Sequence, residues 1–429
     1  MNNRITIYRG SHQIGGCVTE FQTQNNRIVI DFGSNLPDNK ADDVKSDEEL
    51  VHIVFDGRPC DGVLFTHYHG DHIGMYKKIP KEVPCYIGST AKKIHEILTE
   101  KLDSCPQMLH KGLPRVQKMK VYSPGSTLLF GDIKVTPFVV DHSALDAYMF
   151  LIEIDGKKIL FTGDFREHGI AGERDTLGKM LRTYIGEIDI LITEGTMLSR
   201  RDEAKWNPIQ TEEDLGRRAR ELFKENKESV ILVSSTNLDS IMEFYHALPW
   251  GMNFVCDAYQ AKLMLAAMKD KGKYYRKYRP EMIHGKPRQL CIIDNLEGLG
   301  AKENCCKADF SILKNKGFTM LARENKPRFA ELMADFSDPL IIYSKWSGYL
   351  KGEHADPRIL KFIGNHRMEK VHTSGHASVE TIEKLIRMTN PKMIIPMHTE
   401  CADEFDKIEA FVPYHDRVRV LSDGEKFYF

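Results

Sequence analysis

The chain has 429 residues, of which 41% are hydrophobic and 28% charged, and its formal net charge is −1. That length exceeds one ordinary compact core and predicts two domains, or one domain with a large insertion, while the composition excludes widespread disorder. Near-neutral charge excludes a global electrostatic drive toward nucleic acid, so any polyanion site has to be local.

The opening residues MNNRITIYRG hold no apolar signal core, and no later apolar run is long enough to span a membrane. A cytoplasmic protein without a membrane partner is the expectation. Nine scattered cysteines form no CxxC pair and read as reduced thiols, mostly core or bystanders. RITIYRG, CVTEFQT and RIVIDFG are alternating or β-branched runs split by Gly15–Gly16 and QNN, which predicts an antiparallel meander. GVLFTH continues as an apolar strand, a helix fits residues 90–102, and strands follow at VPCYIG, IKVTPFVVDH, AYMFLIEI, KKILFTGD and IDILITEG. This is an α/β layered domain with helices outside a mixed sheet system.

After about residue 200 the pattern changes. TEEDLGRRARELFKEN predicts a helix with Thr211 as N-cap, and SVILVSS, NLDSIMEFYHAL, MNFVCD and AYQAKLMLAAMKD alternate strand and helix, as parallel βαβ units do. RQLCIID and PLIIYS extend the same sheet. From about residue 366 come VHTSGHAS, the helix VETIEKLIRM, the strand KMIIPMH and a terminal hairpin around SDGE. The expected layout is one domain over 1–205 and 366–429, interrupted by a second over 206–365.

The chemistry concentrates in FTHYHGDHIGM. His67, His69, Asp71 and His72 occupy six positions after an apolar strand and cannot all find hydrogen-bond partners within one tight turn. His67 and His69 project to the same side of an extended segment and can share one metal, while Asp71 and His72 lie past Gly70 and can reach a second. Imidazole with carboxylate suits zinc or manganese. Further acids and imidazoles end later strands, namely Asp141 and His142 after VTPFVV, and Asp164 after KILFTG.

THYHGDH, DHS and TGD, in that order, resemble the successive motifs of the metallo-β-lactamase fold, an αββα sandwich. The resemblance implies that His67, His69 and His142 hold one divalent ion, that Asp71 and His72 hold a second, and that Asp164 bridges both. Zinc is the expected metal and manganese the alternative. That fold hosts several chemistries. Glu194 after ILIT, a large α/β insertion, His372 and His376 in VHTSGHAS, and His398 in IIPMHTE resemble the β-CASP nuclease branch, above all ribonuclease J. By this resemblance His398 completes the second metal position, and Glu194 with His376 forms an acid pair beside the scissile phosphate. A carboxylate on one imidazole nitrogen favours the cation, a proton donor for a leaving oxygen. His372, Thr373 and Ser374 offer backbone N–H groups and hydroxyls to a phosphate. A histidine at 398 favours RNA over DNA by the same analogy.

The resemblance departs at Thr399, where the family reads glycine, and at Phe429, where typical ribonuclease J continues into a domain that supports oligomerisation; a homo-oligomer stays open as a partner. Lys273, Arg276 and Lys277, interleaved with Tyr274, Tyr275 and Tyr278, form a local basic stretch suited to phosphates and unpaired bases. Lys345 and Trp346 are a second candidate RNA contact, with packing of Trp346 between the domains the preferred alternative. The implied activity is metal-dependent cleavage of single-stranded RNA, as a 5′ exonuclease, an endonuclease or both, leaving 5′-phosphate products. The alternative is a small-molecule ester or thioester hydrolase of the same fold.

Overall fold

The computed structural model describes residues 3–36, 45–106, 111–172, 175–269, 279, 282–283, 286–296, 298–300 and 303–429. The chain forms two compact units. One comprises residues 1–167, 171–206 and 375–429, the other 168–170 and 207–374. The strand Met368–Lys370 stays with the second unit, where it pairs in parallel with Leu340–Ser344.

The first unit is built on two sheets. Seven strands run in the spatial order Lys426–Tyr428, Arg4–Arg9, Val18–Gln22, Arg27–Ile30, Gly62–Leu64, Cys85–Gly88 and Lys120–Tyr122. The antiparallel meander occupies residues 4–30, and from Gly62 onward the pairing turns parallel. Six strands form the other sheet, in the order Met393–Met397, Ile190–Glu194, Lys157–Phe161, Ala147–Ile154, Ile133–Val140 and Leu128–Phe130.

The strand Ala147–Ile154 shows why the sheets stack. Tyr148, Phe150, Ile152 and Ile154 belong to the core that also holds Ile5, Phe21, Ile28 and Leu64 of the first sheet. The alternate residues Ala147, Met149 and Leu151 pack with Ile382, Leu385 and Ile386 of the helix Val379–Thr389. A strand apolar at every position but Glu153 is thus buried on both faces, one against a sheet and one against helices. On the other sheet's side, Leu50, Val54 and Phe55 are buried from the helix Asp47–Phe55, whose start Ser46 and Glu49 close as a reciprocal capping box. The result is the αββα sandwich of the metallo-β-lactamase fold, interrupted by an inserted β-CASP-type α/β unit.

That second unit carries a seven-stranded sheet in the order Cys305–Lys307, Leu290–Ile292, Asn253–Cys256, Phe318–Ala322, Glu228–Val233, Leu340–Ser344 and Met368–Lys370. Its pairs are all parallel, as alternating strands and helices require. Thr211 caps the helix Glu212–Glu225 by accepting from Asp214 N–H, and Asp214 returns the bond.

One expected element is absent among the described residues. The segment around SDGE makes no hairpin with its own preceding strand; Lys426–Tyr428 pairs instead with Arg4–Thr6, because that edge still has free backbone groups. No described helix is long and apolar enough to cross a membrane.

Candidate metal centre

Chain direction collects the site. Strands ending at Leu64, Val140, Phe161 and Met397 precede His67, His142, Asp164 and His398, Glu194 is the last residue of its own strand, and these ends lie at one edge of the first unit. Parallel pairing in register sets Glu194 opposite Met397, so Glu194 and His398 emerge side by side. The loop after Leu64 supplies His67 and His69, and Gly70 then starts the short helix Gly70–Ile73 that turns Asp71 and His72 back toward them.

His67, His69 and His142 present one ring nitrogen each within 4.8 Å of one another. His69 Nδ1 and His142 Nε2 are 3.2 Å apart, and His142 Nδ1 meets the Gly375 carbonyl at 2.6 Å. On the other side, His398 Nε2 is 3.4 Å from Asp71 Oδ2, and His72 Nε2 is 3.8 Å from the same oxygen. Asp164 lies between the two sets. Its Oδ2 is 3.9 Å from His67 Nε2, 3.9 Å from His142 Nε2 and 3.2 Å from His72 Nε2, while Oδ1 is 3.8 Å from His398 Nε2. Six imidazole and carboxylate groups and a bridging carboxylate are therefore held in one small volume.

Hydrogen bonds behind these groups fix which atom faces inward. Asp31 accepts from the Thr66 N–H at 2.7 Å and the Thr66 hydroxyl at 2.8 Å, and its Oδ2 bonds His72 Nδ1 at 2.7 Å. The Thr196 hydroxyl bonds His398 Nδ1 at 2.7 Å. These contacts leave the Nε2 atoms of His72 and His398 for the centre, the arrangement that orients metal-ligating histidines. Asp31 and Thr196 were not legible as site residues in the sequence.

The group set fits divalent ions. His67 Nε2, His72 Nε2 and Asp164 Oδ1 are buried and have no hydrogen-bond partner among the described residues, a costly condition unless something else satisfies them. Burial pushes the His67, His69 and His142 imidazoles down, His69 to about 4, so they are neutral and ready to ligate. Burial would raise Asp71 and Asp164, yet His72 and His398 override it and hold both carboxyls low. Conversely, burial would depress His72 and His398, but the Asp164 carboxylate lifts both well above the usual imidazole value. The cluster draws positive charge, as a metal-binding site does.

Beside the centre, His376 Nδ1 bonds Glu194 Oε2 at 3.0 Å and lies 3.6 Å from Asp164 Oδ2. Glu194 is itself pinned, with Oε1 accepting from Phe165 N–H at 2.9 Å and Ala377 N–H at 3.4 Å. Burial opposes a charge on His376, but Glu194 and then Asp164 raise its pKa. Its side chain is 23% exposed, against 1% for Glu194, so it is the open member of the pair.

Other expected residues fall elsewhere. Asp141 bonds Arg166 at 3.3 Å and serves as a structural ion pair. His372, Thr373 and Ser374 belong to the second unit, where the Thr373 hydroxyl is buried and donated to Glu212 Oε1 at 2.6 Å rather than open to a phosphate. The His372 carbonyl accepts from Asn207 and the Ser374 carbonyl bonds His168 Nε2. Lys345 is held by both oxygens of Glu324 at 2.7 and 2.8 Å, which removes it as a free cation. Lys273, Arg276 and Lys277 lie outside the described residues.

Comparison with known proteins identifies the family. Residues 27–264, more than half of the chain, match the beta-lactamase superfamily domain, and residues 365–411 match a Zn-dependent metallo-hydrolase RNA specificity domain. Ribonuclease J of Helicobacter pylori strain 26695 is 25% identical over 424 residues, covering 92% of this chain and 56% of that protein. The chain thus spans little more than half the length of that relative. Ribonuclease J of Mycoplasma pneumoniae is 21% identical over 418 residues, covering 92% of this chain and 68% of that one. A crystal structure of a protein of unknown function from Enterococcus faecalis V583 superposes with a TM-score of 0.76 at 21% identity, covering both chains fully. The chain belongs to the metallo-β-lactamase superfamily, and within it is similar to ribonuclease J.

Proposed function

We propose that this protein is a metal-dependent phosphodiesterase that cleaves single-stranded RNA, acting from the 5′ end, internally or both, and leaving 5′-phosphate and 3′-hydroxyl ends. The observation that carries the reading is the buried ring of histidines and aspartates around Asp164 with the Glu194–His376 pair at its open side. His67, His69 and His142 would hold one ion and Asp71, His72 and His398 the other, with Asp164 serving both. When bound, two divalent ions, zinc foremost and manganese second, supply a water of lowered pKa and neutralise charge on a phosphoryl group.

The protein's own residues do the rest. Asp31 and Thr196 keep the Nε2 atoms of His72 and His398 aimed inward. Glu194, immobilised by Phe165 N–H, holds His376 by Nδ1 and leaves Nε2 to give a proton to the departing 3′ oxygen. Lys273, Arg276 and Lys277 neutralise RNA phosphates, and His372 and Ser374 are the remaining phosphate contacts of the HTSG segment. The segment 206–365 is the β-CASP insertion in this reading, with the strand Met368–Lys370 continuing its sheet. This reading takes the protein to be cytoplasmic, and light scattering decides whether it forms a homo-oligomer. A small ester or thioester hydrolase would have no use for Glu194 and His376 as a pair.

The test uses a 5′-monophosphorylated, 5′-labelled single-stranded RNA with zinc or manganese, beside Asp71→Ala and a DNA of matching sequence. Metal-dependent, Asp71-dependent cleavage of RNA is the expected result. Immediate release of labelled mononucleotide marks the 5′ exonuclease, and intermediate fragments mark the endonuclease. Turnover of generic esters without cleavage of either polymer would overturn the reading.

A further inference from the structure

Cys17 follows the Gly15–Gly16 turn, whose φ values of +79° and +68° favour glycine, and it is 1% exposed. Its N–H donates to the Asp71 carbonyl at 2.9 Å, and its own carbonyl accepts from Gly33 N–H at 3.0 Å. The first bond ties it to the loop that carries His69, Asp71 and His72, and the second to the segment that follows the strand Arg27–Ile30. A buried cysteine is ordinarily a small core hydrophobe, and Cys17 does border the inter-sheet core. Its sulfur, however, also lies within 4.8 Å of one ring nitrogen each of His72 and His398, and those two nitrogens lie equally close to each other.

A second, independent observation points into the same space. His72 is 1% exposed, its Nδ1 is taken by Asp31, and its Nε2 has no hydrogen-bond partner among the described residues. A buried imidazole nitrogen that faces a thiol, a second imidazole and, at 3.2 Å, the Asp164 carboxylate is a ligand set. Sulfur also changes which ion such a set prefers. Thiolate ligands select zinc and other borderline ions over manganese or magnesium, which favour oxygen.

We infer that Cys17 is a thiolate donor to the ion held by Asp71, His72 and His398, which makes that position sulfur-containing and selective for zinc. The inference rests on the metal-centre reading above. Binding forms a metal–sulfur bond, and the thiol proton leaves to solvent.

Cobalt(II) added to metal-stripped protein separates the two ideas, because its visible ligand-field bands report binding and a near-ultraviolet sulfur-to-cobalt band reports a thiolate. The wild type should show both. Cys17→Ser should lose the sulfur band and bind zinc roughly tenfold or more weakly, while Cys60→Ser, a control elsewhere in the fold, keeps both. Ligand-field bands without a sulfur band in the wild type would overturn the role of Cys17 and leave the metal centre standing. No bands at all would overturn both. Should Cys17→Ser fail to fold by circular dichroism, zinc X-ray absorption on the wild-type holoprotein decides: a sulfur neighbour at about 2.3 Å supports the assignment, and nitrogen and oxygen neighbours alone refute it.

Discussion

His95 offers a test of the physical reasoning that is independent of catalysis. It lies in the helix Ser89–Asp103, is 6% exposed, and neither ring nitrogen has a hydrogen-bond partner among the described residues. Its nearest ring is Tyr76, edge-on at 4.9 Å between centroids. Burial, helped by the charge of Lys77, lowers its pKa from 6.5 to about 4. That difference corresponds to about 3 kcal/mol against the charged form in the folded state. Above pH 6.5 both folded and unfolded chains carry a neutral ring, and the group contributes no pH dependence. Below it the unfolded chain takes a proton that the folded chain refuses, so stability falls until the folded ring titrates near pH 4. At about pH 5 the loss from this one residue is roughly 2 kcal/mol.

His95→Leu removes the titration while keeping an apolar group of similar size. Urea midpoints of both proteins would be measured at about pH 7.5 and about pH 5, with chelator present so that metal binding does not contribute. Other titrating groups affect both proteins alike and cancel in the comparison. The expected result is a pH-dependent loss about 2 kcal/mol smaller in His95→Leu than in wild type. Equal losses in the two proteins would refute the account of His95 as a buried neutral imidazole.

Three further outcomes are expected. Asp31→Asn removes the carboxylate behind His72 and should weaken zinc binding about 10- to 100-fold by isothermal titration, with the fold retained. Gly33→Ala should destabilise the first unit by about 1–3 kcal/mol and lower its metal content, because a Cβ there collides with the Asp71 carbonyl; unchanged metal content by mass spectrometry would contradict this. Reversing Lys273, Arg276 and Lys277 to glutamate should weaken RNA binding and flatten its salt dependence while zinc content stays constant. Salt titrations of RNA affinity measure it directly.

Much of the centre was readable because its residues break an apolar pattern at strand ends. His67, His142 and Asp164 each interrupt a run of buried hydrophobics with a group that no ordinary core tolerates. Asp31 obeys the same rule after RIVI, yet it stands alone in the sequence, and only the fold shows that its left-handed backbone, φ +58°, turns it onto His72. Cys17 was classed with the bystanders because a buried thiol looks alike in a core and beside a metal. Thr373 carried the opposite error, since a hydroxyl in a glycine-containing turn suggests a ligand site, whereas Glu212, far away in the sequence, claims it. Long-range pairing also explains the missed terminus. Local turn chemistry at SDGE suggested a hairpin, but the open edge at Arg4–Thr6 was the better partner.

The pairing of Met393–Met397 with Ile190–Glu194 has a consequence for the timing of assembly. His67 and His398 stand 331 positions apart in the chain, and the strand carrying His398 is the last of its sheet to be synthesised. A chain still emerging from the ribosome can carry the meander and its histidine loop, yet it lacks His398, the last of the donors proposed for the second ion. Closure of that final strand would therefore complete the proposed donor set only after the other five strands of its sheet have been made. Bound metal would in turn hold the late strand in place, since ligands that bind only the complete fold stabilise it by mass action.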